Sequence, residues 1–191
     1  VKRVRTKCGD EFVATEGVIS TINVRDVYDC LGDAAPAHER EHIAKIKNAD
    51  FVALNQAFAL SKIPEFKTGE AVKDSFCIEF APDEEEYLRT FSEYLLGGFS
   101  PKLPLITMPS LRDPSRAPEG GCVVNVYSYA PWNLDGDWHN WETKGQELKD
   151  ALWEFFKSRC TNITDDDIIA KWGKTPLEYT EWNPAFLHGD I

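Results

Sequence analysis

LPLITMPSLRDPSRAPEGGCVVNVYSYAPW, residues 103–132, holds two segments that read as strands and one that cannot be anything but a loop. Leu105–Met108 is short and apolar. Cys122–Tyr129 is β-branched and aromatic, and its alternation puts Val124, Val126 and Ser128 on one face and Val123, Asn125, Tyr127 and Tyr129 on the other. Between them SLRDPSRAPEGG is dense in Pro, Gly, Asp and Ser. Pro114 and Pro118 fix φ and stiffen it, Gly120-Gly121 lets it turn back, and Asp113 before a proline suits an Asx turn. A connection of this length is long for a hairpin, and such loops are often functional.

Upstream, Pro82–Leu96 reads as a helix. Pro82 suits its first turn, Asp83–Glu86 its positive end, and Gly97-Gly98 its stop. Tyr87, Leu88, Phe91, Tyr94 and Leu95 fall on one helical face. Phe51–Leu60 (FVALNQAFAL) is apolar enough for a long, mostly buried strand, and Asn55 and Gln56 within it need partners on the backbone or on a ligand. Ser75–Phe80 reads as a further strand, with Phe76, Ile78 and Phe80 on one face and Cys77 and Glu79 on the other. At the start of the chain, VKRVRT and EFVAT flank a turn at Cys8-Gly9-Asp10, a hairpin pattern. Gly17–Thr21 then reads as a short buried strand and Asn23–Leu31 as a short helix stopped by Gly32.

Downstream, Trp141–Cys160 reads as a second long helix whose buried stripe is Trp141, Leu148, Leu152, Phe155 and Phe156. Thr164–Asp167 has the form of a capping box opening a short helix through Ile168, Ile169 and Trp172. Thr175-Pro176-Leu177-Glu178 is a fuller box, with Thr as N-cap, Pro at the first position and Glu at the third.

The totals bound the function. The 191 residues suffice for one domain with a proper core, and 42% hydrophobic residues with six tryptophans describe a globular chain. A net charge of −11 argues against a nucleic-acid backbone as partner. No apolar run reaches the roughly 20 residues that span a bilayer. Peripheral membrane contact stays open. Five widely spaced cysteines and no signal peptide read as reduced thiols of a cytoplasmic protein, which makes the sequon at Asn162 a chance match. The opening on VKRVR without Met, and the ending on HGDI, read as a piece of a longer protein.

His38-Glu39-Arg40-Glu41-His42 fits H-E-x-x-H, in which two histidines on one helical face bind zinc and the Glu activates water. Third ligands are scarce, and the flanks are charged where such a helix is ordinarily apolar. We read a solvated helix resting on Ile43 and Ile46, and no metal site.

Three separated stretches share one resemblance. PSLRDPSRAPEGGCVVNVYSYAPW resembles the DPS-x-AP-x-G loop, strand and P-W turn of the phytoene desaturase-like group of FAD-dependent oxidoreductases, which includes carotenoid desaturases, carotenoid isomerases and retinol saturase. The hairpin with Val18-Ile19-Ser20-Thr21 is similar to the last piece of that group's FAD domain, although Cys8-Gly9-Asp10 departs from its usual turn. Asp167-Ile168-Ile169, Thr175-Pro176-Leu177-Glu178 and Asn183 to His188-Gly189-Asp190 are similar to its closing segment. The likeness covers residues 1–25 and about 104–191; the middle matches in element type alone.

The resemblance implies an α+β fold, an antiparallel or mixed β-sheet with helices packed on one face. Residues 1–21 would be the tail of the FAD-binding domain and 22–191 the substrate-binding domain. It implies a flavin oxidoreductase acting by hydride transfer, or by flavin-assisted isomerisation, on a lipophilic substrate of which a polyene is one class. Ser20 and Thr21 would approach the cofactor, and Phe58, Tyr127, Tyr129 and Trp132, with Phe51 and Phe76 as further candidates, would line the substrate pocket; core packing is the ordinary alternative for each. No G-x-G-x-x-G turn is present in the sequence. FAD would therefore sit on the missing FAD-binding domain of the same chain, and this piece would neither bind it tightly nor turn over alone. The other class of reading is a non-catalytic α+β ligand- or protein-binding domain.

Overall fold

Hydrogen bonds between Thr6 and Asp10, with Gly9 at φ +95°, close a hairpin of β1 (Arg3–Arg5) and β2 (Glu11–Val13). The computed structural model describes residues 1–49, 51–81, 83–183 and 185–189. The chain divides into two compact units, Val1–Lys47 and Asn48–Ile191. In the first, α1 (Val24–Leu31) starts where Asn23 Oδ1 accepts the Arg25 N–H and stops at Gly32, whose φ of +52° suits glycine. α2 (Ala37–Ala44) follows Pro36. Gly17–Thr21 is not the expected buried strand. It joins no strand among the described residues, and Ile19 is 95% exposed, because the small β1–β2 sheet is itself exposed throughout and has no apolar face to bury it against.

In the second unit the chain runs through β3 (Phe51–Leu60), β4 (Cys77–Glu79), α3 (Glu84–Leu95), β5 (Leu105–Thr107), β6 (Cys122–Pro131), α4 (Asn140–Arg159), β7 (Ile168–Lys174) and α5 (Pro176–Trp182). The strands form one sheet in the order β4-β5-β6-β3-β7, every neighbouring pair antiparallel. The fold is α+β.

β3 and β6 pair along their whole length, from Phe51 opposite Pro131 to Leu60 opposite Cys122. Because side chains alternate, this register gathers Leu54, Phe58 and Leu60 with Val124, Val126 and Ala130 on one face. Ile106 of β5 extends that face, and Leu152, Trp153 and Phe156 of α4 close over it. Phe58 stacks on Trp153 with ring centroids 4.4 Å apart. Gln56 points the same way and donates to the Lys149 carbonyl at 2.7 Å, so its amide is satisfied by the helix above. α4 buries Trp141, Gly145, Leu152, Trp153 and Phe156, while Leu148 and Phe155 are half-buried.

Two expectations needed correction here. Thr164–Asp167 does form a capping box, but it opens a single 3₁₀ turn and the chain then enters β7. The β-branched pair Ile168-Ile169 and the open edge of β3 together decide for strand, with a bulge between Ala59 and Leu60. In α3 the buried face is Thr90 and Tyr94, whereas Tyr87, Leu88 and Leu95 of the expected stripe are exposed. The Tyr94 hydroxyl donates to the Ser100 carbonyl at 2.7 Å, and burial pushes its pKa up to about 12. Asp83 is the N-cap of α3, accepting the Glu86 N–H. Pro82, read as a first-turn residue, lies outside the described residues, as does Asp190 of the closing turn.

Candidate functional site

The pleat sends the alternate residues of the sheet away from α4. Two rows run across that opposite face. One is Glu79, Leu105, Tyr127, Asn55 and Lys174; the next is Cys77, Thr107, Asn125, Ala57 and Trp172. Tyr129 sits opposite Ala53, and Ala59 between Val123 and Ala170. On this face β3 therefore presents alanines and one asparagine. Beside it stand Tyr127 and Tyr129 on β6, with Trp172 on β7. Small side chains between large flat ones make a shallow trough along β3 at Ala57 and Ala59, while Ala53 is fully buried. Its walls remain accessible: Tyr129 is 38% exposed and Trp172 47%.

The ends of the trough are aromatic or polar. Phe91 of α3 packs edge-on to Phe51 at 5.9 Å and lies 5.8 Å from Tyr129. Beside them is a cleft of about 70 Å³ lined by Tyr87, Phe91, Leu103 and Tyr129 with Glu79 and Phe80. At the β7 side the Lys174 ammonium lies over the rings of Trp172 (5.8 Å) and Trp182 (5.5 Å). α5 brings Tyr179 against Asn55; burial raises the Tyr179 pKa and the Asn55 amide opposes the rise. Asn55 Oδ1 is buried and accepts no hydrogen bond among the described residues. On β6 and β5, Asn125 Nδ2 donates to Thr107 Oγ1 at 3.1 Å.

The structure separates the residues expected to line a pocket. Tyr127 and Tyr129 share the trough and touch edge-on at 5.7 Å. Phe58 does not join them. It is 1% exposed on the helix-covered face, because its position in β3 has the same parity as Leu54 and Leu60. Trp132 lies just beyond β6, stacked on Trp138 at 5.7 Å and on His188 at 4.8 Å. Phe51 stands at the trough's end, and Phe76 lies under the guanidinium of Arg112 at 5.5 Å. Ser20 and Thr21 belong to the other unit, exposed in the segment between β2 and α1. Sequence reading missed Ala57, Ala59, Trp172 and Lys174. The alanine spacing in Phe51–Leu60 was visible, but Trp172 was assigned to a helix.

The described residues do not fit a dinucleotide. The second unit's sheet has no parallel pair and so no βαβ turn, and no glycine-rich segment leads from a strand into a helix N-terminus. The Asp113 loop holds itself together instead: Asp113 accepts from the Ser115 N–H and hydroxyl and from Arg116, and the Ser115 hydroxyl and Arg116 lower its pKa. His38 and His42 are exposed, and Glu39 accepts from the Tyr28 hydroxyl. Among the described residues no group of three or more His, Cys, Asp or Glu is placed to hold a metal ion, and no helix is long and apolar enough to cross a membrane.

No protein-family profile matches the chain, and no curated protein does. Among solved structures, the chain is similar to the PF1083 protein of Pyrococcus furiosus at 18% identity and a TM-score of 0.45, over 91% of this chain and 34% of that one. The chain thus spans about a third of the length of that protein.

Proposed function

We propose that this chain is the substrate-binding part of an FAD-dependent oxidoreductase of the phytoene desaturase-like group, and that the trough along β3 is where the substrate lies. The observation that carries the reading is the face opposite α4. Its alanine floor and its tyrosine and tryptophan walls suit a long, flat, lipophilic molecule, which gains affinity from apolar area and needs few polar contacts. The three ordered sequence resemblances supply the enzyme class. In the whole enzyme the flavin supplies hydride transfer to or from a substrate carbon. The present residues position and shield the substrate, and the flavin is held by a cofactor-binding part to which residues 1–21 belong.

The test is the absorbance spectrum of the purified full-length parent, followed by substrate uptake. Flavin bands, and reduction by a lipophilic substrate that Tyr127→Ala and Tyr129→Ala slow at unchanged flavin content, are the expected results. A colourless protein that takes up no added FAD overturns the enzyme reading. In that event retention of lipophilic ligands by the trough would leave a binding domain.

A further inference from the structure

Four arginines lie in residues 48–191, and three of them have an oxygen to donate to. Arg89 pairs with Glu85 at 2.7 Å, Arg116 with Asp113 at 3.1 Å, and Arg112 with the Asp74 carbonyl at 3.2 Å. Arg159 bonds no carboxylate or carbonyl among the described residues. Its guanidinium lies instead over two rings, 4.4 Å from the centroid of Phe155 and 5.9 Å from that of Phe80. These groups, with Ala81 and Lys102, line a cleft of about 160 Å³, of which Phe80 and Ala81 also border the smaller cleft beside the trough. Lys102 is held by Glu86. A third cation, Lys67, is near enough to pull the Cys160 thiol down against the burial that raises it to about 12.

Arg159 is the last residue of α4, where a cation complements the helix dipole. The dipole accounts for the charge but not for the apolar-walled cleft or the second cation on it. The stacking matters for recognition. A guanidinium held over two rings has lost part of its freedom, and its N–H fork, with no acceptor among the described residues, can take an incoming oxyanion. We infer that this cleft binds a small organic anion, a carboxylate or phosphate monoester carrying one aromatic ring. The oxyanion takes the Arg159 fork in bidentate fashion, and Lys102 turns from Glu86 to share it. The ring lies against Phe80 and Ala81. Size sets the limit of one ring, since a cavity of about 150 Å³ accommodates benzene. The inference is independent of the trough and of any flavin.

The full chain is titrated at low ionic strength with benzoate, phenyl phosphate and, as control, benzylamine, and backbone amide shifts are followed by NMR. Saturable shifts at Ala81, Phe155 and Arg159 are expected for the anions and none for the amine. The tighter of the two anions identifies the headgroup. Arg159→Gln, at an exposed position that should fold normally, should weaken binding about tenfold or more, and Arg159→Lys should recover only part, because a point charge cannot make the fork. Equal affinity in Arg159→Gln and the parent, no saturation in the millimolar range, or shifts of equal size with benzylamine would each overturn the inference.

Discussion

Phe58→Ala asks which face of β3 belongs to the core. The ring is 1% exposed and stacks at 4.4 Å on Trp153, with Leu54, Val124 and Phe156 in the same cluster. Truncating a buried Phe costs about 3–5 kcal/mol in lost transfer energy and residual cavity. Loss of an aromatic pair, worth about 0.5–1.5 kcal/mol, pushes this site toward the upper end. We therefore expect a loss of about 4–5 kcal/mol. In a domain of this size each kcal/mol lowers Tm by about 2–4 °C, so the midpoint should fall by about 8–20 °C. Urea unfolding followed by tryptophan fluorescence is the assay, with an unchanged m-value required so that midpoints report stability. Phe58→Leu keeps most of the volume and should lose less than half as much. Tyr127→Ala, on the opposite face, should also lose less than half as much while impairing ligand uptake. A shift below about 1 kcal/mol for Phe58→Ala would refute the register that puts this ring beneath α4.

Other substitutions and conditions probe the rest of the frame. Gly97 sits at φ +86°, and a Cβ there would stand 2.7 Å from the Asn133 carbonyl oxygen, whereas Gly120 at φ +80° has open space. Gly120→Ala should cost about 1–2 kcal/mol from the left-handed backbone alone, and Gly97→Ala measurably more in the same melt. Asp167, bonded by Lys62 at 2.9 Å and by Thr164, has its pKa pulled well down, chiefly by the Lys62 ammonium. A carboxylate depressed in the folded state contributes in full above its unfolded pKa of about 3.9 and loses that contribution as pH falls toward the folded value. Stability measured from pH 7 downward should therefore fall less steeply in Asp167→Asn than in the parent. Alkylation at pH 8 should modify the exposed Cys8, Cys30 and Cys77 but reach Cys160, buried and raised to about 12, only in denaturant.

Local chemistry made some elements legible and tertiary pairing decided others. The α5 box was readable because its signals are all local: Thr175 accepts the Glu178 N–H at 3.2 Å and Glu178 accepts back from the Thr175 N–H at 2.7 Å. The β6 alternation was readable for the same reason, and it placed Tyr127 and Tyr129 on one face. Phe51–Leu60 was harder. With Ala53, Ala57 and Ala59 on one side and Leu54, Phe58 and Leu60 on the other, both faces of β3 are apolar. Hydrophobicity could not separate core from trough, which is why Phe58 was grouped with the tyrosines. Ile168–Lys174 failed differently: its capping box spoke for a helix, and only the vacant edge of β3, more than a hundred residues away, makes it a strand. The same error hid Trp172.

That distance has a consequence for how the protein comes into being. β3 is the middle strand of its half of the sheet, yet both its neighbours follow it late: Leu60 waits for Cys122, and Asn55 waits for Lys174. On a ribosome β3 must emerge and wait with both edges bare until β6 follows, and with one edge bare until β7 is made, when almost the whole second unit has been synthesised. Pairing across such long chain separations is slow, and a bare apolar strand can meanwhile be captured by another copy. Truncation before β7 would leave that edge permanently open, so the yield of soluble protein should drop sharply between chains ending beyond Lys174 and chains ending before Ile168.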